Sequence, residues 1–273
     1  MSVHSTIQRT TVPQLMGFKG QQKIVALTAH SAPFARILDA VMDMILVGDS
    51  TAMVAYNLPD TLSITLEQMA AHGAAVVRST EKACIMVDMP FGSYQESPQK
   101  AFTNAARVLA LSGASGVKLE GGEALAETTR FLVDRGIPVL AHVGLMPQYV
   151  NTMGGFRAQG MSDESARRIM ADAQAHEQAG AWAVVIEGVA EGLGQQITQK
   201  LTIPTIGIGA SPACDGQILV TEDILGLSGE RIPRFARQFA DVGKVISEAV
   251  HLYATSVRDG QFPGLENCFG VKK

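Results

Sequence analysis

Short runs rich in Ile, Val, Leu and Met recur along the chain, separated by longer stretches whose apolar residues return at helical spacing. Eight such runs predict strands: Lys23 to Thr28, Met44 to Gly48, Ala83 to Asp88, Gly116 to Glu120, Val139 to His142, Ala183 to Glu187, Thr205 to Ile208 and Gln217 to Val220. Runs that are apolar at successive positions suit strands covered on both faces, as in a parallel sheet wrapped by helices. Between them, helix starts and stops are legible. Ser97 and Pro98 form an N-cap and first helical residue, followed by Phe102, Ala105, Ala106 and Leu109 on one face. A helix expected over Glu123 to Arg135 meets its stop at Gly136, with Pro138 just beyond. A longer one from Ser162 to Ala179 opens on Asp163 and Glu164, which complement the positive end of its dipole. A last helix is expected over Pro233 to Val257, with no strand after it.

Strands and helices alternating in this way close into a (β/α)8 TIM barrel or lie open as a doubly wound sheet. An internal echo favours the barrel. The segment Gly113-Ala-Ser-Gly-Val-Lys-Leu-Glu120-Gly121 is matched in spacing by Gly180-Ala-Trp-Ala-Val-Val-Ile-Glu187-Gly188. These would be strands four and six, and alternate strands of a barrel feed the same interior layer, so Glu120 and Glu187 are expected at one mouth. The 273 residues suit a single barrel domain spanning 1–273, with an extension over 1–22 and the C-terminal helix over about 233–257.

Composition narrows the function. With 47% hydrophobic and 18% charged residues the chain is not a disordered one, and no apolar run approaches the ~20 residues of a membrane span. Met1 to Gln14 lack the apolar core of an export signal, so a cytoplasmic location is expected. A formal net charge of -4 without a basic run argues against nucleic acid or anionic membrane as partner and leaves small-molecule substrates. Cys84, Cys214 and Cys268 are odd in number and widely spaced, which predicts reduced thiols.

The chemistry-bearing residues cluster at the predicted strand ends, where α/β barrels assemble their active sites. They are Asp49, Asp88, Glu120, His142 and Glu187, with Lys118 two residues before Glu120 and hence on the same strand face. Taken singly, each has a bland reading: Asp49 and Asp88 as turn or capping residues, Lys118 with Glu120 as a structural ion pair, His142 as a satisfied core histidine. Together they are harder to dismiss, because several carboxylates around one mouth repel unless a cation or proton sits among them. Magnesium suits Asp49, Asp88 and Glu120, since it takes few protein carboxylates and fills its shell with water and substrate oxygens. Zinc fits poorly, with His142 the one nitrogen donor at hand. A magnesium ion with open positions can chelate a 2-oxo acid and stabilise its enolate. Lys118 would then place positive charge by the substrate carboxylate or enolate oxygen, and Glu187 would be the base. The run Gly207-Ile-Gly-Ala210 reads either as a phosphate cradle or as a tight turn.

The motifs Val47-Gly-Asp-Ser50, Asp88-Met-Pro-Phe91, Val117-Lys-Leu-Glu-Gly-Gly122, His142-Val-Gly-Leu145 with Pro147-Gln148, Gly207-Ile-Gly-Ala210 and Asp215-Gly-Gln-Ile-Leu-Val220 together resemble the ketopantoate hydroxymethyltransferase family. The resemblance runs from about Lys23 to Phe262-Pro-Gly264. It implies a barrel of the phosphoenolpyruvate/pyruvate type that transfers a hydroxymethyl group from 5,10-methylenetetrahydrofolate to 3-methyl-2-oxobutanoate through a magnesium-stabilised enolate, giving 2-dehydropantoate. It implies Asp49, Asp88 and Glu120 as magnesium ligands, some through water, Asp49, Ser50, Asp88 and Lys118 as substrate contacts, and Glu187 as proton acceptor. His142 is an auxiliary residue of the same site. A cytoplasmic homodecamer is likewise implied.

Two segments depart from the family pattern. Thr28-Ala29-His30-Ser31 stands where Thr-Ala-Tyr-Asp is usual, and Asn57-Leu-Pro-Asp60 replaces a Gly-Tyr-Asp-like loop. Both border the mouth and bear on folate affinity or substrate preference. The rival reading is a lyase or mutase of the isocitrate lyase and phosphoenolpyruvate mutase superfamily. Such lyases carry a catalytic cysteine on a mobile loop, whereas Cys84 falls inside a strand and Cys214 before the last one. A non-catalytic barrel is the second rival, against which the full set of candidate ligands argues.

Overall fold

A computed structural model of the chain describes residues 9–229 and 232–270, so residues 1–8 of the expected extension lie outside the described residues. The chain divides into two compact units, Met1–Thr221 and Glu222–Lys273. In the first unit eight parallel strands close into a barrel in chain order: β1 Ile24–Thr28, β2 Met44–Val47, β3 Cys84–Asp88, β4 Gly116–Glu120, β5 Val139–Gly144, β6 Ala183–Glu187, β7 Thr205–Ile208 and β8 Gly216–Leu219. All eight predicted runs are strands, with small shifts at their ends.

The helices are α1 Val12–Met16, α2 Ala32–Leu38, α3 Thr51–Val54, α4 Leu66–Arg78, α5 Pro98–Ser112, α6 Ala126–Val133, α7 Val150–Met153, α8 Asp163–Gln178, α9 Glu191–Lys200, α10 Thr221–Leu225 and α11 Val242–Arg258. Ser97 caps α5 through Lys100 N–H, and Ser162 caps α8 through Ser165 N–H. The helix expected from Glu123 begins instead as a 3-10 turn over Glu123–Leu125 before α6. Another difference is larger. The last helix starts at Val242 rather than Pro233, because the amides of Phe239 and Ala240 both bond to the Ile224 carbonyl and Asp241 then caps Lys244 N–H at 3.0 Å.

The period-two alternation of the strands sorts side chains between two environments. Met44 and Leu46, Cys84 and Met86, Leu140, Ala183 and Val185, Ile206 and Ile218 fill the barrel interior. Their neighbours Ile45, Val47, Ile85, Val87, Val117, Leu119 and Val139 pack under the surrounding helices. Leu15 of α1 joins the interior cluster with Ile24, closing the end where the strands begin. The same alternation carries Asp88, Lys118, Glu120, His142 and Glu187 to the inner face at the opposite end, in line above Met86, Gly116, Leu140 and Val185.

Candidate active site

Asp49 lies one residue past Gly48 at the end of β2, where Thr51 Oγ1 donates to the Gly48 carbonyl and turns the chain into α3. The turn is tight: a Cβ on Gly48 would sit 3.0 Å from Ser50 Oγ and 3.7 Å from Asp88 Oδ2. Asp88 ends β3 and accepts the Asp49 backbone N–H at 3.0 Å through Oδ2. In register with Asp88, Lys118 places Nζ 3.2 Å from Asp88 Oδ1 and 3.3 Å from Glu120 Oε1.

Glu120 and His142 are register partners on β4 and β5. His142 stands between two glutamates, with Nδ1 3.3 Å from Glu120 Oε1 and Nε2 3.3 Å from Glu187 Oε2. The echo noticed in the sequence thus ends on one imidazole. Beside it Gly144 has φ +94, and a Cβ there would come within 2.4 Å of the Glu187 carbonyl, which Leu145 N–H binds at 2.8 Å. Asp49, Asp88, Lys118, Glu120 and His142 are buried, Glu187 is partly exposed, and Ser50 is half-buried at the start of α3.

Burial dominates the electrostatics. It raises the proton affinity of Asp49 well above the ordinary carboxylate value, and Glu120 and Asp88 add to that rise. Asp88 is raised by burial too, against the pull of Lys118. Burial also opposes the charge of Glu120, but Lys118 and His142 outweigh it and hold that carboxyl at about 2. For His142, burial and Lys118 disfavour the imidazolium, while Glu120 and Glu187 overcome both and lift it to about 9. Lys118, surrounded by Asp88, Glu120 and Asp49, stays charged despite its burial.

When all are ionised, the carboxylates of Asp49, Asp88, Glu120 and Glu187 outnumber the cations Lys118 and His142, a surplus that one divalent cation would balance. Among the described residues no three His, Cys, Asp or Glu side chains converge to enclose an ion unaided. The candidate donors are the hard carboxylate oxygens of two adjacent buried aspartates, Asp49 and Asp88. That composition fits magnesium and does not fit a closed zinc cage.

Two residues of the site were assigned no chemical role from the sequence, although Gln148 lies in the Pro147-Gln148 motif. Gln148 follows β5 in a 3-10 turn, donates its backbone N–H to Glu120 Oε2 at 3.0 Å, and reaches Asp49 Oδ2 at 2.9 Å with its side-chain nitrogen. Tyr94, fully buried in the loop after β3, places its hydroxyl 2.7 Å from Gln148 Oε1. Elsewhere, Gly207 has a packing explanation: a Cβ there would crowd Gln217 and Cys214 Sγ at 3.0–3.1 Å. The two departing loops meet through His72, whose Nδ1 lies 2.6 Å from the His30 carbonyl and whose Nε2 lies 2.9 Å from Tyr56 Oη, next to Asn57.

Comparison with known sequences decides among the readings. The ketopantoate hydroxymethyltransferase family model matches residues 9–265. The chain belongs to the ketopantoate hydroxymethyltransferase family. A 3-methyl-2-oxobutanoate hydroxymethyltransferase of Bordetella petrii is 57% identical over 100% of this chain and 99% of its own. One from Pseudomonas aeruginosa is 55% identical over the whole of both. As a ketopantoate hydroxymethyltransferase the chain is an enzyme, a one-carbon group transferase. Among solved structures, 2,3-dimethylmalate lyase, described as a PEP mutase/isocitrate lyase superfamily member, aligns with TM-score 0.60 at 18% identity, covering 95% of this chain and 91% of that one. Phosphonopyruvate hydrolase in complex with oxalate and Mg++ aligns with TM-score 0.61 at 15% identity, covering 94% and 93%. At such identities these likenesses speak for the shared barrel alone. Among the described residues no helix is long and apolar enough to cross a membrane.

Proposed function

We propose that the enzyme transfers a hydroxymethyl group from 5,10-methylenetetrahydrofolate to 3-methyl-2-oxobutanoate, forming 2-dehydropantoate by way of an enolate. One observation carries the reading: Glu187 shares His142 with Glu120 at the same mouth where Asp49 and Asp88 lie adjacent and buried. Magnesium, held there by Asp49, Asp88 and Glu120, some of them through water, would supply Lewis acidity at the keto oxygen of the oxo acid. The complex of phosphonopyruvate hydrolase with oxalate and Mg++ supports that choice of ion on this barrel.

The chain's own residues do the rest. Glu187, the most open carboxylate of the group, takes the proton from C3 of the oxo acid. His142, held charged by both glutamates, places its Nε2 3.3 Å from Glu187 Oε2, beside the group that takes the proton. Lys118 presents positive charge to the substrate carboxylate and to the developing enolate oxygen, while Asp49, Ser50 and Asp88 line the substrate's place. Burial of these groups strengthens every such interaction by excluding water.

The location we propose is the cytoplasm, in a homo-oligomer that family membership suggests is a decamer. In the second unit, α11 buries none of its residues and exposes Val245, Ile246, Val250, Leu252 and Tyr253, an apolar surface suited to another copy of the chain. The test of function is NMR of 3-methyl-2-oxobutanoate in deuterated water. With magnesium and enzyme the C3 proton should exchange, and 2-dehydropantoate should form once methylenetetrahydrofolate is added. Exchange without product would overturn the proposed donor; no exchange in the presence of magnesium would overturn the enolate.

A further inference from the structure

The side-chain amide of Gln148 has every hydrogen-bonding position filled. Its nitrogen donates to Asp49 Oδ2 and to the Met89 carbonyl, both at 2.9 Å. Its oxygen accepts from Tyr94 Oη at 2.7 Å and from Gln95 Nε2 at 3.2 Å. The Tyr94 hydroxyl accepts the Glu120 backbone N–H at 3.0 Å, and its one proton is shared between Gln148 Oε1 at 2.7 Å, the shorter contact, and the Glu120 carbonyl at 2.9 Å. Turned over, the amide would set its oxygen against Asp49 Oδ2 and the Met89 carbonyl, and its nitrogen against Gln95 Nε2. Acceptor would face acceptor and donor would face donor, so one orientation survives.

The backbone of the same residue donates to Glu120 Oε2. Gln148 therefore holds one oxygen of each of two carboxylates from strands on different sides of Asp88, and it is almost wholly buried while doing so. The neutral side-chain amide binds the Asp49 carboxylate without adding charge, which neither Lys nor Glu could do here, while the hold on Glu120 comes from the backbone N–H. With Oδ2 of Asp49 bound to the amide, Oδ1 is the oxygen left for a ligand.

We propose that Gln148 is a positioning residue that fixes the Asp49 carboxylate for a divalent cation, and that Tyr94 helps to hold its amide by bonding the oxygen. The inference rests on the reading of Asp49 and Asp88 as cation-binding groups. Partners behind metal ligands typically alter metal affinity about 10–100-fold when removed.

The experiment uses Mn2+ as probe, counted as free ion by its electron paramagnetic resonance signal, on the full-length wild type, Gln148→Leu and Tyr94→Phe without substrate. Thermal unfolding in chelator runs alongside. Expected results are Mn2+ binding by wild type, affinity about tenfold or more weaker in Gln148→Leu, and a smaller loss in the same direction in Tyr94→Phe. The rise in melting temperature on adding Mn2+ should shrink in the same order, which a purely structural role would not produce. A Gln148→Leu protein that loses stability in chelator yet binds Mn2+ as wild type does would overturn the proposal. Should Gln148→Leu fail to fold, Tyr94→Phe decides: unchanged Mn2+ affinity there overturns the relay and the positioning role with it. Wild type that binds no Mn2+ would instead bring down the reading of Asp49 and Asp88 beneath it.

Discussion

The two ends of the barrel both bury charge, and they treat it in opposite ways. Where the strands begin, Lys19 Nζ lies 2.8 Å from Asp215 Oδ2 and donates also to the Thr198 carbonyl, while Thr205 gives Asp215 its N–H and its hydroxyl. Arg9 and Lys23 spend their donors on backbone carbonyls nearby, and Leu15 closes the interior. Positive meets negative, and each is completed from within the chain. Where the strands end, Asp49 and Asp88 are pressed against Glu120 with too few cations among them, and burial makes their charge expensive. Stability is built at one end, and the other holds charge that something from outside must complete.

The contrast can be broken by substitution, and the largest expected effect is at the reacting end. Glu187→Gln should lower turnover about 10²–10⁴-fold with little change in KM, read by steady-state kinetics and by C3 deuterium exchange. Undiminished turnover would remove Glu187 as the base. At the closed end Asp215→Ala should cost about 2–3 kcal/mol in denaturant unfolding, since it strands a lysine and two Thr205 donors, while kinetics below the transition stay near wild type. Loss of turnover without loss of stability would erase the division of labour.

Asp49→Asn should act in the opposite sense and more weakly. A carboxyl whose folded proton affinity lies above its unfolded value takes stability away as pH rises past the unfolded pKa, so at neutral pH the asparagine protein should melt higher in chelator. Each kcal/mol recovered corresponds to roughly 2–4 °C in a chain of this size. A lower melting temperature in chelator would show that the three carboxylates are not in conflict.

The smallest effect concerns His176 on α8, fully buried, whose Nε2 donates to the Gly121 carbonyl at 2.8 Å and whose Nδ1 accepts from Thr129 Oγ1 at 3.0 Å. Burial lowers its pKa, although the Gly121 carbonyl works the other way. The unfolded chain therefore binds the proton first, and stability is full above about pH 6.5 and falls as pH drops below it. His176→Gln should flatten that slope in chemical denaturation between pH 5 and 7; an unchanged slope would assign it to other groups.

Much of this was legible in the residues. The strands declared themselves because a parallel barrel needs apolar side chains on both faces, and Asp88, Lys118, Glu120, His142 and Glu187 stood out as polar breaks at the ends of such runs. Gln148 and Tyr94 carried no such signal. They sit on loops without periodicity, are uncharged, and matter through contacts with Asp49 and Glu120 that are remote in sequence. The start of α11 lies at Val242 rather than at the expected Pro233 for a related reason: the amides of Phe239 and Ala240 bond to the Ile224 carbonyl. Periodicity reports which face is buried and is silent on where a backbone N–H finds its partner.

Gly144 sets a limit on how this enzyme could be remade. Any larger residue would collide with the main chain of the neighbouring strand at Glu187, so the wall of the barrel is pinched shut at that point. New chemistry would have to come by exchanging the side chain at 187 or by rebuilding the segment that carries Gln148, because the backbone beneath them has no slack to give.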